Sequence, residues 1–167
     1  AAAAVFFRRF IGLTWVAGLA SLLYALDEAH GSPAVWLANR NASIAACFGI
    51  LALLAHNRWR RTGSRRSLML SLGSLVLALL GGELGIATSA YVFAYAVCLD
   101  TGTWRGRLAS LLPAAAVCAA WALTYLMLGF GATGSRLYVD PAHPQAFAAA
   151  VIERAPVLLF GQWLLPA

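Results

Sequence analysis

Lysine is absent from this chain, and only six of its 167 residues are acidic. Charged side chains make up 11% of the sequence and apolar ones 62%, with a mean hydropathy of +0.77. A soluble domain carries about 25% charge, so this composition excludes an ordinary solvated surface. Cysteine is also scarce. Cys47, Cys98 and Cys118 fall inside apolar segments without metal-type spacing, and read as small core or lipid-facing residues rather than as a disulfide or a zinc site. No phosphate-binding loop or nucleophile triad is present, and metal ligands are not assigned. The positive charge consists of twelve arginines, for a net +6. They lie mostly in short loops beside apolar runs, which points to membrane topology and not to nucleic acid.

What remains is a series of long apolar runs, and these predict an all-α, polytopic membrane protein with the whole of 1–167 as one transmembrane helical domain. About three full spans and one broken or hairpin helix pair are expected. The first span is Phe10 to about Leu26, preceded by Arg8-Arg9. Asp27-Glu28-Ala29-His30-Gly31 ends it, and Ser32-Pro33 supplies a capping hydroxyl followed by proline at a first helical position. A second helix from Pro33 to His56 is about 36 Å long at 1.5 Å per residue, enough to cross. The cluster Arg58-Trp59-Arg60-Arg61, with Arg65-Arg66, marks the cytoplasmic side.

The third run, Leu68 to Leu99, would be about 48 Å long as one helix, against roughly 30 Å of hydrocarbon. Tilt alone would need about 50°, beyond the usual range. Gly81-Gly82 divides it, and the run reads as a hairpin of two short helices with Glu83 near the tip. An acid in such a run costs roughly 2.5–3.5 kcal/mol in lipid and therefore faces protein or water. A further span runs from Leu108 to about Phe130. Pro144 to Arg154 reads as a short helix, and Val157 to Leu165 as the start of another. The chain opens Ala1–Ala4 without methionine and closes just after an apolar run, which reads as a fragment of a longer protein.

On this topology every candidate functional group gathers at the non-cytoplasmic face. Asp27 and Glu28 could act as general base or metal ligands toward an acceptor hydroxyl, or simply favour the helix N-terminus that follows. Arg40 could hold a lipid-linked phosphate with its planar fork, or snorkel to the interface over Trp36. Glu83 could bind substrate or sit protonated against a neighbouring helix. Tyr138, Asp140 and His143 could bind sugar or metal, although Asp140-Pro141 is also ordinary turn chemistry. His30 and His56 read as interfacial. Asn41-Ala42-Ser43 fits a glycosylation acceptor formally, but within a helix beside the membrane.

The stretch Ala34–Ser43, followed by an apolar helix and Arg58-Trp59-Arg60-Arg61, resembles the tryptophan–glycine–arginine stretch of multi-span glycosyltransferases of the GT-C superfamily. The nearest likeness is to the protein O-mannosyltransferase-like branch, over about Phe10 to Leu128. A helix pair follows there, often with a serine-lysine-glutamate turn. Gly81-Gly82-Glu83 stands in that place, matching the glutamate and not the lysine. The resemblance implies transfer of a sugar from a polyprenyl-phosphate carrier, at the non-cytoplasmic face of a bacterial inner membrane. It also implies a catalytic acid on a first extramembrane loop, upstream of Ala1. No other cofactor is implied; the lipid bilayer and the lipid-linked sugar are the expected partners. A non-catalytic membrane subunit and a transporter are the alternatives, the latter requiring a second broken segment, of which the sequence shows none.

Overall fold

The computed structural model describes residues 2–26, 40–130 and 144–164, and among them the secondary structure is helical with no strand. The chain divides into two compact units, Ala1–Ala122 and Leu123–Ala167. Asp27, Glu28, Tyr138, Asp140 and His143 lie outside the described residues.

The expected first span is two helices. α1 (Ala2–Ile11) stops at Gly12, whose φ of +87° is costly for any residue but glycine and whose N–H closes on Arg8 O at 3.1 Å. Thr14 then caps α2 (Trp15–Leu26), its Oγ1 accepting from Ala17 N at 3.3 Å. Phe7 of α1 meets Tyr24 of α2, with ring centroids 6.1 Å apart.

α3 (Arg40–Thr62, 23 residues) continues past His56, the expected end, through the arginine cluster. Arginine is a good helix former, and termination waits for Gly63 at φ +66°, whose N–H reaches Trp59 O at 2.8 Å. α4 (Arg65–Gly81) runs back antiparallel along it. The contact face is built of small residues. Ser67, Ser71, Ser74 and Ala78 are all buried on α4, at i, i+4, i+7 and i+11. Ser71 Oγ donates to Ala52 O of α3 at 2.9 Å, which occupies a hydroxyl that would otherwise be buried unpaired. A Cβ added to Gly81 would lie 3.2 Å from Ala45 N, so the backbones approach closely there.

The Leu68–Leu99 run is interrupted where the glycine pair falls. Gly82 adopts φ +155° and ψ +166°, a region open essentially to glycine alone. A 3₁₀ turn, Glu83–Ile86, follows and leads into α5 (Ala87–Cys98). Gly85 packs directly on the Ala78 carbonyl. α5 then descends parallel to α3: Gly49 faces Thr88, Asn57 meets Tyr95, and Arg60 meets Asp100. The run is therefore a hairpin whose two ends return to the same level.

After a loop, α6 (Trp104–Ala109) ends four residues before Pro113, whose ring would clash with the Ala109 carbonyl in a continuous helix. α7 (Leu112–Met127) resumes and carries the chain into the second unit, where α8 (Pro144–Leu164) is one helix running through Pro156. The two separate segments expected there are joined. The core of the first unit comprises Ala52, Leu53, Leu75, Leu79, Val92 and Ala114, with Phe6 and Trp121 packed against it.

Polar residues share the interior with apolar ones, and many large apolar side chains lie on the surface. Buried positions include Ser67, Ser71, Ser74, Thr88, His56, Asn57 and Asp100, while Leu80 is 72% exposed and Met69 69%. By length and composition, one helical stretch among the described residues, Trp104–Met127 (24 residues), could cross a membrane; Trp15–Leu26 and Glu83–Cys98 are apolar but shorter. Of the three full spans expected, Gly12 shortens the first, and the described part of the second begins at Arg40 and runs on into the arginine cluster.

Candidate functional site

The hairpin gives the first unit two chemically different ends. At one end are Arg8–Arg9, the arginines of 58–66, and Arg105 and Arg107. The centre of this end is an ion pair 40 residues apart in sequence: Arg60 Nε to Asp100 Oδ2, 2.6 Å. The Asp100 side chain is only 5% exposed. Its other oxygen accepts from Gly102 N at 2.8 Å, so both carboxylate oxygens are engaged. Burial pushes the Asp100 carboxyl up, but the Arg60 and Gly102 hydrogen bonds and the charges of Arg60 and Arg107 outweigh it and hold the group below its usual range. Arg107 secures the loop from below, its Nε donating to Gly102 O at 2.8 Å and a terminal nitrogen to Val97 O at 3.2 Å. Thr103 caps α6 through Gly106 N at 3.3 Å.

One turn along α3, Tyr95 OH donates to Asn57 Oδ1 at 3.1 Å, both residues buried. His56 stands beside them, edge-on to Tyr95 and Trp59 with centroids 5.4 and 5.3 Å away. It is 2% exposed and its Nε2 has no hydrogen-bond partner among the described residues. The interfacial position expected for His56 is thus a buried one, because α3 continues past it and α5 covers it. Asn57 and Tyr95 border a cleft of about 430 Å³, lined also by Arg9, Phe10, Arg60, Arg61, Leu99, Asp100 and Thr101.

At the opposite end lie Arg40 and Glu83. Their elements meet where a Cβ on Gly82 would lie 3.3 Å from Asn41 Nδ2, and Arg40 and Glu83 are the sequence neighbours of these two residues. Both Arg40 and Glu83 are exposed. Between the two ends runs an apolar groove of about 390 Å³, lined by Phe6, Phe7, Tyr24, Ile50, Leu53, Leu84 and Tyr91 among others. The three cysteines are free.

Of the expected site, then, Arg40 and Glu83 come to one end of the first unit. The Arg60–Asp100 pair and the Asn57–Tyr95–His56 cluster were not expected. A signal for the first existed, since a hairpin over Leu68–Leu99 necessarily returns Asp100 to the level of Arg58–Arg66. Comparison with protein-family models, with curated proteins and with solved structures finds no match.

Proposed function

We propose that this chain is a polytopic membrane domain of a glycosyltransferase that takes sugar from a polyprenyl phosphate at the Arg40–Glu83 end. The membrane part of the reading is supported by the apolar surface, with Leu80 and Met69 exposed while Ser67, Ser71, Ser74, Asn57 and Asp100 are buried, as expected where hydrocarbon replaces water. The small-residue face between α3 and α4 is the packing that membrane helices favour. The observation that carries the functional part is the Gly82 reversal, which brings an acid and an arginine to one end, away from the arginine cluster. Arg40 holds the donor phosphate with its two-pronged guanidinium, and Glu83 orients a sugar hydroxyl.

A charge-assisted contact of this kind contributes roughly 1.5–3 kcal/mol. Arg40→Ala should weaken binding of a polyprenyl-phosphate sugar about tenfold to a hundredfold in the intact protein reconstituted in lipid, and Arg40→Lys should restore part of it. Unchanged donor affinity in Arg40→Ala would instead favour a non-catalytic membrane subunit. A transporter is the second reading, because the break at Gly12–Thr14 supplies the second interrupted apolar segment that it requires. Substrate uptake into vesicles without turnover would select it.

A further inference from the structure

The cleft at the arginine end has no role in donor binding, yet it is built from three helices and a loop. Arg9 comes from α1, Asn57, Arg60 and Arg61 from α3, Tyr95 from α5, and Asp100 from the loop beyond. Its charges do not cancel: three arginines face one aspartate. Asp100 is already occupied by Arg60 Nε and Gly102 N. No hydrogen bond or ion pair among the described residues engages the guanidinium of Arg9 or Arg61. Asn57 spends its carbonyl oxygen on Tyr95 OH, and its amide nitrogen, in a residue 5% exposed, makes no hydrogen bond among the described residues. Two exposed guanidinium groups and an amide donor therefore line one concave site, a donor set that suits a phosphate.

The surroundings of the cleft select the kind of phosphate. On α3 the residues lining the apolar groove, Ala46, Ile50 and Leu53, lead by helical spacing to Asn57 and Arg60 in the cleft. On α5, Thr88 and Tyr91 lead to Tyr95, and on α1 Phe6 and Phe7 lead to Arg9 and Phe10. The stripe on α5 ends at the neutral Tyr95 and that on α1 reaches Arg9, while the α3 stripe is apolar along its length and cationic at its foot. From Ala42 to Asn57 this stripe extends about 22 Å at 1.5 Å per residue, more than the ~15 Å depth of one leaflet. A free phosphate or a nucleotide would leave that apolar length empty. An amphiphile fills both parts.

We infer that the cleft and the separate apolar groove beyond the Phe10–Tyr95 ring contact, whose centroids are 6.1 Å apart, together bind an anionic phospholipid, with the headgroup phosphate at Arg9 and Arg61 and an acyl chain passing those rings into the groove along α1, α3 and α5. Basic pockets between membrane helices at the cytoplasmic side are suited to such headgroups. The inference rests on the membrane reading but not on the glycosyltransferase one, since it uses neither Arg40 nor Glu83.

The test measures lipid retention by the intact protein in neutral detergent, using native mass spectrometry with phosphatidylglycerol and phosphatidylcholine in equal amounts. The wild type should retain phosphatidylglycerol in preference. Arg9→Gln with Arg61→Gln should lower that preference about tenfold or more, and the Lys pair should keep part of it. Arg65→Gln with Arg66→Gln removes the same charge from the same end outside the cleft and should leave the preference intact. In the unaltered protein, rising salt should weaken retention of phosphatidylglycerol, and inorganic phosphate should compete poorly. Equal loss in both double variants would reduce the effect to general charge attraction and overturn the site. Strong competition by inorganic phosphate, or no preference in the wild type, would overturn it as well. Failure to enter a bilayer of either composition would overturn this inference together with the membrane reading. Loss of donor binding with the lipid preference intact would remove only the glycosyltransferase reading.

Discussion

Asp100 illustrates how much one side chain contributes in this fold. It is nearly enclosed, both oxygens are bonded, and one bond is charge-assisted. Asp100→Asn keeps the shape and removes the charge, leaving Arg60 without its counter-ion, so a loss of about 1.5–3 kcal/mol is expected. The pH dependence has a definite sign. The folded carboxyl holds its proton less tightly than the unfolded one, so its stabilisation is complete above the ordinary carboxylate range. It then drains away as pH falls through the lowered folded value. Thermal melting in detergent should therefore show wild type well above Asp100→Asn near neutrality, with the two curves converging in acid. Curves that stay apart at low pH would mean that the ion pair is not the source of the difference.

At the scale of elements, the hairpin depends on two of its glycines and not on a third. Gly82 needs a backbone region that other residues avoid, so Gly82→Ala should cost about 1–3 kcal/mol. Gly85 has the Ala78 carbonyl where a Cβ would go, and Gly85→Ala should be the most damaging, since backbone must move. Gly73 sits in mid-helix with nothing within 4 Å of its would-be Cβ, so Gly73→Ala should stabilise by roughly 0.5–1 kcal/mol. Melting temperatures in that order would support the reversal at Gly82. A Gly85→Ala protein as stable as wild type would contradict the packing of the 3₁₀ turn on α4. The α1–α2 turn has the same logic in a shorter form, with Gly12 as terminator and Thr14 as cap.

For the molecule as a whole, the hairpin makes a topological statement. Ser64 and Thr103 belong to the arginine end and Leu84 to the other. With Cys47, Cys98 and Cys118 replaced by alanine, single cysteines at 64 and 103 should react with a membrane-impermeant thiol reagent from the same side of oriented vesicles. A cysteine at 84 should not react from that side. Labelling of 64 and 103 from opposite sides would mean that α4 and α5 cross as one span. The arginine-rich side should be cytoplasmic.

What the sequence by itself determined is what depends on neighbours along the chain. Long apolar runs predicted helices, and the glycine pair marked the interruption at Gly81-Gly82. Loop arginines distinguished one end from the other. The break at Gly12 was equally local, visible as a glycine followed two residues later by a capping threonine, but the continuous hydropathy around it hid the signal. Tertiary structure alone decided which residues meet across helices. Arg60 and Asp100, or Asn57 and Tyr95, come together only because α3 and α5 lie parallel at a particular rotation about their axes. That rotation is set by close contact between small residues, Gly49 against Thr88 and Ser71 of α4 against Ala52. Steric fit of this kind has no period in the sequence, so the cleft at the arginine end could not be read before the helices were packed.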